Sequence, residues 1–161
     1  MLVREHPKFT GHRDQRLRGL LEAGLAVRDA SDGAAAEPWL AACDVVTTCF
    51  SHCSMDYAFL SAWSPEPLGS VLFLLTSEDT RRFMSEQAGL RLPDGVAAGL
   101  GRVAGRPEDV GPLLERAFGD PERLAFHEAS RRLPRRARPE LIVEAVVAAG
   151  SRRRRSAGER S

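Results

Sequence analysis

Some segments of this chain are short runs of apolar or β-branched residues, and others have apolar residues at three- and four-residue spacing. Because the two kinds of segment alternate, the sequence predicts alternating strands and helices. Short runs that are β-branched or continuously apolar predict strands at 44–48, 69–75 and 100–104. The run at 69–75 is apolar almost throughout, which is typical of a parallel strand covered on both faces. Two shorter extended runs, at 2–4 and 25–28, are also predicted as strands.

Between these strands, apolar residues recur at three- and four-residue spacing, which predicts helices. The predicted helices cover 14–23, 37–42, 55–63, 77–89, 107–118, 121–133 and 139–149. Strands that alternate with helices in this way indicate an α/β fold with a Rossmann-like, mostly parallel sheet flanked by helices. One domain is predicted over 1–149, and a disordered Arg-rich tail over 150–161.

The stretch at 43–63 carries the most informative local pattern. Its strand ends at Thr48, a polar turn (Ser-His-Cys-Ser, 51–54) follows, and a helix comes next. Ser51, Ser54 or both are expected to cap that helix by bonding its first free amides. Hydroxyls and unpaired N–H groups at the start of a helix favour a phosphate. The turn is therefore a candidate phosphate site.

A second loop is expected to meet that turn in space. The predicted strand at 2–4 is followed by His6 and Pro7, and a proline disfavours helix at the residue before it. In open α/β sheets the ligand crevice lies beyond the carboxyl ends of the strands. Because His6 and the 51–54 turn each follow such an end, we expect both to face one anion.

The composition is typical of a soluble globular protein rather than of a membrane-spanning or secreted one. The chain has 161 residues, 43% of them hydrophobic and 28% charged, with a net charge of +1, which is ordinary for a soluble globular domain. No run approaches the roughly 18 apolar residues that a membrane span needs, and the N-terminus lacks a signal-peptide pattern. Five arginines and one glutamate follow residue 150, so the remainder is mildly acidic. A peripheral membrane contact of this tail stays open, whereas a nucleic-acid partner is not expected without interleaved aromatic residues.

The three cysteines argue against a secreted disulfide framework, since they are odd in number and close together, and they favour a reduced cytoplasm. Cys49, His52 and Cys53 invite a zinc interpretation. Their spacing is not that of a zinc knuckle and no second ligand pair is present, so no metal is expected. A nucleophilic Cys53 activated by His52 is also disfavoured, because activated pairs are neighbours in space rather than in sequence.

The order of these motifs resembles the C-terminal nucleotide-binding lobe of GT-B glycosyltransferases. The shared features are a strand closing in His-Pro, a Gly-Leu-x-Val strand, a helix before Asp-Val-Val-Thr-Thr, and a Ser-rich turn. The likeness covers about residues 1–133. Within this class it is closer to bacterial surface-polysaccharide transferases, such as polysialyltransferases and glycerophosphate-polymer synthases, and non-hydrolysing UDP-N-acetylglucosamine 2-epimerases share the lobe. The architecture that the resemblance implies is a single GT-B half.

The resemblance also implies which residues bind a nucleotide-sugar. Carried over by motif, the donor-binding residues are His6, Pro7, Thr48, Ser51, His52 and Ser54. His6 is the implied catalytic residue, because an imidazole that donates a proton or carries charge stabilises a departing nucleotide. The donor is a CMP- or UDP-linked sugar that binds as substrate, and no cofactor is implied. The glycine-containing loop 95–105 is expected near the base, and Glu66 or Glu78 is a candidate for a ribose or sugar contact.

The sequence departs from that family in two ways. His52-Cys53 stands where a hydroxyl pair is commoner, and the chain begins at what resembles the second strand of the lobe. The first strand and the N-terminal lobe are therefore expected to be missing, so that residues 2–4 either pair with Val45-Val46 or leave an exposed edge there.

The implied function is donor binding for transfer to a surface polysaccharide, with no turnover unless a second lobe or a homo-oligomer completes the site. The alternatives are the lobe of a nucleotide-sugar 2-epimerase, and a non-catalytic fragment or partner-binding domain.

Overall fold

A computed structural model describes residues 1–3, 13–29 and 36–133. The strands are Leu2–Val3 (β1), Arg28–Asp29 (β2), Val45–Thr48 (β3), Ser70–Leu74 (β4) and Arg102–Ala104 (β5). The helices are Arg13–Glu22 (α1), Glu37–Ala41 (α2), Cys53–Trp63 (α3), Glu78–Ala88 (α4), Asp94–Ala97 (α5), Pro107–Ala117 (α6) and Asp120–Arg131 (α7). The predicted helix 139–149 and the tail from 150 lie outside the described residues.

Three strands form one parallel sheet in the order β3-β4-β5, with β4 in the centre. Val45 of β3 pairs with Ser70, and Leu72 of β4 pairs with Arg102. The first four residues of β4 are buried, as its continuous apolar sequence predicts for a strand covered on both faces. The prediction of an α/β fold, with a Rossmann-like parallel sheet flanked by helices, is confirmed for this part of the chain.

One face of the sheet packs against α2, α3 and α7. Side chains alternate along a strand, so Val71 and Phe73 of β4 point to the same face. They belong to one buried cluster with Tyr57 of α3 and Phe126 of α7, whose rings stack with centroids 5.5 Å apart. This cluster fixes the position of α3, and with it the turn that precedes α3.

Two buried hydrogen bonds complete the packing of the helices. Ser61 Oγ of α3 lies 3.1 Å from His127 Nδ1 of α7, and both residues are buried. On the other face of the sheet, the Ser70 hydroxyl donates to the carbonyl of Ala117 at 2.8 Å, which fixes the end of α6 against β4. These polar groups are buried without cost because each has a partner.

The first two strands form a separate sheet. β1 pairs with β2 in parallel, with Leu2 opposite Arg28. Among the described strands β3 pairs only with β4. Of the two arrangements expected for residues 2–4, pairing with Val45-Val46 is therefore wrong, and the exposed edge of β3 is what the described part of the chain shows.

Most element boundaries differ from the sequence prediction by one or two residues, and three of the differences affect the description of the sheet and the turn. α3 begins at Cys53 rather than Met55, because the His52 carbonyl already accepts the Met55 amide at 2.8 Å. β2 lies at 28–29 rather than 25–28, where its register with β1 places it. Residues 94–97 form the short helix α5 inside a stretch predicted as loop.

Candidate functional site at the carboxyl edge of the sheet

The carboxyl ends of β3, β4 and β5 lie along one edge of the sheet because the strands are parallel. The turn that connects β3 to α3 follows this edge, and so do the loops after β4 and β5. Four predicted site residues lie here, namely Thr48, Ser51, His52 and Ser54. His6 and Pro7 lie outside the described residues, so their meeting with this turn stays a prediction.

The backbone amides at the start of α3 already have partners within the chain. The Cys53 amide donates to the Ser51 hydroxyl, and the Ser54 amide donates to the Ser51 carbonyl, each at 3.3 Å. The amides of the next two residues both donate to the His52 carbonyl, at 2.8 and 3.0 Å. The expectation of unpaired N–H groups is therefore wrong for residues 53–56, whose amides bond to oxygen atoms of Ser51 and His52.

Ser54 is part of the packed helix rather than of the exposed edge. It is only 5% exposed, and its hydroxyl donates to the Ser51 carbonyl at 2.9 Å. The residue at the N-cap of α3 is His52, whose side chain makes no capping hydrogen bond. Of the two expected caps, Ser51 does bond a first-turn amide, whereas capping by Ser54 is wrong because Ser54 lies inside the helix.

Two hydroxyls at this edge accept a hydrogen bond and keep their own O–H. Thr48 Oγ1 accepts the Ser51 amide at 3.1 Å, and Ser51 Oγ accepts the Cys53 amide. A hydroxyl has one hydrogen to donate, and neither of these donates it to another described residue. The imidazole of His52, next in sequence to Ser51, is exposed. The edge thus presents two O–H donors and an imidazole, which are suited to an anion.

Aromatic rings and an arginine border the turn. Phe50 and Phe83 are 40% and 51% exposed, and their rings stack with centroids 5.6 Å apart. Arg81 of α4 donates from Nη1 to the carbonyls of Leu75 and Gly105, at 2.9 and 2.8 Å. Since these carbonyls follow β4 and β5, Arg81 joins two loops of the same edge.

The remaining chemistry at this edge is not that of a nucleophile or a metal site. Arg106, after β5, forms two hydrogen bonds to Asp109, which hold the pKa of that carboxyl below its usual value. Partial desolvation raises the pKa of the Cys49 thiol, and a protonated thiol is a poor nucleophile. The three cysteines are free. Across the described ranges, no three His, Cys, Asp or Glu side chains are grouped to hold a metal ion.

The glycines before β5 lie at the opposite end of the strands from this turn. Gly99 and Gly101 have φ angles of 75° and 120°, and a Cβ at Gly101 would lie 2.6 Å from the Val71 carbonyl oxygen. Close packing therefore explains Gly101, and the left-handed backbone conformation explains Gly99. Glu66, between α3 and β4, lies at the same far end, whereas Glu78 begins α4 at the carboxyl edge.

A cavity of about 670 Å³ lies beside β5. Its apolar lining includes Leu92, Val96 and Leu113. Glu122 in its lining pairs with Arg102 at 2.9 Å, and hydrogen bonds from this arginine, opposed by burial, hold the pKa of Glu122 below its usual value. Arg116 Nε also lies 2.6 Å from the Glu122 carboxylate, so the acidic group of this cavity is already shared by two arginines.

Two further findings complete the description. Within residues 1–3, 13–29 and 36–133, every helix is too short or too polar to cross a bilayer. Neither the scan against protein-family models nor the searches of curated proteins and of solved structures found a match to this chain.

Proposed function

We propose that the carboxyl edge of this sheet binds the phosphate of a nucleotide-sugar, and that the chain is the donor lobe of a GT-B-type glycosyltransferase acting on a surface polysaccharide. The observation that carries the proposal is the pair of O–H donors on Thr48 and Ser51, beside the exposed imidazole of His52. Parallel α/β sheets bind their ligands at this edge. Donors held in place by the fold stabilise the negative charge that develops on a departing nucleotide.

Side chains, rather than backbone amides, bind the phosphate in this proposal. The amide hydrogen bonds orient the oxygens of Thr48 and Ser51, so each O–H is free to turn toward a ligand. His52 adds a donor from its ring, and the positive end of α3 adds a long-range attraction. His6 is the proposed catalytic donor, and Pro7 the residue that shapes its loop.

The chain is not proposed to turn over alone. In this assignment the acceptor site belongs to a second lobe or to a second copy of the chain, and the CMP- or UDP-linked sugar is substrate rather than cofactor. We place the protein in the cytoplasm, where its three free cysteines stay reduced.

The test is a titration of the full chain with CMP and with UDP. Binding is measured by isothermal titration calorimetry and by the shift in thermal unfolding. The variants are Thr48→Val, Ser51→Ala and His52→Ala, and each is expected to bind at least about tenfold more weakly, since a hydrogen bond to a charged group contributes about 1.5–3 kcal/mol. Ser85→Ala is the matched control, because Ser85 is exposed on α4 and its hydroxyl makes no hydrogen bond to the described residues of the turn.

Two results would contradict the assignment in different ways. If the three variants bind nucleotide as the parent chain does, the ligand does not lie at this turn. If the parent is not stabilised by either nucleotide, donor binding itself is wrong, since a ligand at a hundred times its Kd adds about 2.7 kcal/mol.

The second candidate function is a non-catalytic, partner-binding domain. Within the described residues β3 pairs only with β4, which favours this candidate, since a strand edge without a neighbour offers backbone donors and acceptors to another chain. Absence of nucleotide binding together with protection of β3 amides in a complex would favour this alternative.

A further inference from the structure

The outer face of α2 and α3 carries a shallow groove that the proposed nucleotide site does not use. The groove has a volume of about 210 Å³ and is lined by Glu37, Asp56, Phe59, Leu60 and Trp63. Trp63 is 74% exposed and Phe59 41% exposed. The surface therefore presents two aromatic faces flanked by two carboxylates, and we name it the acidic-aromatic groove.

The charges of this groove are unbalanced. Neither Glu37 nor Asp56 has an ion-pair partner among the residues that the structure describes. The surrounding sequence supplies none, because residues 29–80 contain eight acidic residues and no Lys or Arg. A cation that docks here would meet uncompensated negative charge.

An arginine already stacks on an aromatic ring of the helix next to the groove, although that ring does not line the groove. The guanidinium of Arg28 lies over the ring of Trp39, 4.9 Å from its centroid. Trp39 belongs to α2, the same helix that contributes Glu37 to the groove. Planar guanidinium groups stack on aromatic faces and pair with carboxylates at the same time, which a lysine does less well.

We propose that the arginine run Arg152–Arg155 of this chain docks in the acidic-aromatic groove. The run is four consecutive arginines, the densest positive charge in the sequence, and it complements the two carboxylates of the groove in charge. Eighteen residues lie between Leu133, where the described chain ends, and Arg152, and an extended chain of that length reaches about 60 Å. A domain of this size has a radius of gyration of about 14 Å, so the connection is long enough.

This docking does not depend on the nucleotide assignment. The groove lies along the outer face of α3, whereas the proposed phosphate donors lie in the turn before it. An arginine run that shields Trp63 also removes an exposed aromatic from solvent, which limits association with other chains. In this proposal the basic tail and the acidic surface of one chain bind each other.

Zero-length cross-linking of the full chain tests the proposal. Arg153→Lys keeps the charge and adds an amine that a carbodiimide couples to a touching carboxylate, and Lys8 is the sole lysine of the parent. We expect Lys–carboxylate cross-links from position 153 to Glu37 and Asp56 to exceed those to the exposed Glu86 and Glu115 by about fivefold, through local concentration. The excess should disappear in Glu37→Gln/Asp56→Asn and weaken in 0.5 M salt, as screening requires.

A second measurement is independent of cross-linking. In the full chain with Trp39→Phe, Trp63 is the remaining tryptophan, and replacing all four arginines by serine should raise its acrylamide quenching constant about twofold. Equal cross-linking to all four carboxylates, or unchanged quenching, overturns the proposal. Cross-links that join isotopically different chains in the statistical proportion of a mixed sample also overturn it, since the occupant would then be the arginine run of a second copy.

Discussion

The two ends of the β3–β4 strand pair are built differently. At the amino end backbone packs directly against backbone, since Gly69 lies against the Asp44 carbonyl and leaves no space for a side chain. The buried Tyr57 closes the same end through a 2.6 Å hydrogen bond from its hydroxyl to the Cys43 carbonyl. At the carboxyl end, by contrast, side chains make the connections.

The side chains that connect the elements at the carboxyl end still have hydrogen-bonding groups available. Thr48 and Ser51 accept backbone amides and keep their own O–H groups, while His52 is exposed between strand and helix. Arg81 joins the loops after β4 and β5 from outside. The amino end is therefore closely packed around Gly69 and Tyr57, while the carboxyl end has O–H donors available for a ligand.

The largest expected effect is that of Gly69→Ala at the amino end. The new methyl group would overlap the Asp44 carbonyl and the Tyr57 hydroxyl, and overpacking of this kind costs about 3 kcal/mol. Chemical denaturation of the full chain should show this loss. Gly105→Ala is the matched control at the carboxyl end of β5, since nothing lies within 4 Å of the added Cβ. A similar loss in both variants would contradict the contrast between the two ends.

Tyr57→Phe is expected to cost about 1.5 kcal/mol at neutral pH, because the Cys43 carbonyl loses its donor. Burial first, and then the nearby Cys43 and Asp44, raise the pKa of Tyr57 above its usual value. The unfolded chain ionises this tyrosine near pH 10 while the folded chain keeps the proton, so the contribution is complete below pH 10 and is lost as pH rises further.

The measurement that checks this is the unfolding free energy of parent and Tyr57→Phe between pH 8 and 11. The advantage of the parent should be constant up to about pH 10 and then shrink. A constant difference over the whole range would mean that Tyr57 ionises equally in both states.

At the carboxyl end, Arg81→Met is expected to cost about 1 kcal/mol, less than the amino-end changes, since the two hydrogen bonds it removes are partly exposed. Methionine keeps the apolar stem, so the loss reports the bonds alone. Arg82→Met, which breaks only an exposed pair with Asp79, is the control and should be nearly neutral. Equal losses in the two variants would show that Arg81 does not join the strand ends.

The same contrast explains which features the sequence predicts. β4 is predictable because continuous apolar residues have few alternatives to a buried parallel strand, and the end of α4 because Gly89 adopts the left-handed conformation there. The pairing state of the amides at the start of α3 is not predictable, because it depends on how the Ser51 and His52 carbonyls are oriented by the turn. The spacing of apolar and polar residues does not predict how these carbonyls are oriented.

Ser54 shows most clearly what the sequence alone does not predict. Its residue type and position fit a phosphate-binding turn, yet two residues' difference in where α3 begins moves it from the exposed turn into the buried face of the helix. The acidic-aromatic groove is also missed by pattern reading, since Phe59 and Trp63 fit the apolar period of a core helix. Only the absence of Lys and Arg from 29–80 signals it in the sequence.

The smallest expected effect on stability is that of His52→Ala, which should change the unfolding free energy by only about 0.3 kcal/mol, because an exposed side chain without a capping bond adds little. Ser54→Ala, two residues away, is the comparison, and it should cost about 1 kcal/mol since its buried hydroxyl loses the bond to the Ser51 carbonyl. If nucleotide binding is weakened by His52→Ala and not by Ser54→Ala, the exposed turn is the site. The opposite ranking would mean that the buried hydroxyl reaches the ligand, and that the carboxyl end opens further than its hydrogen bonds indicate.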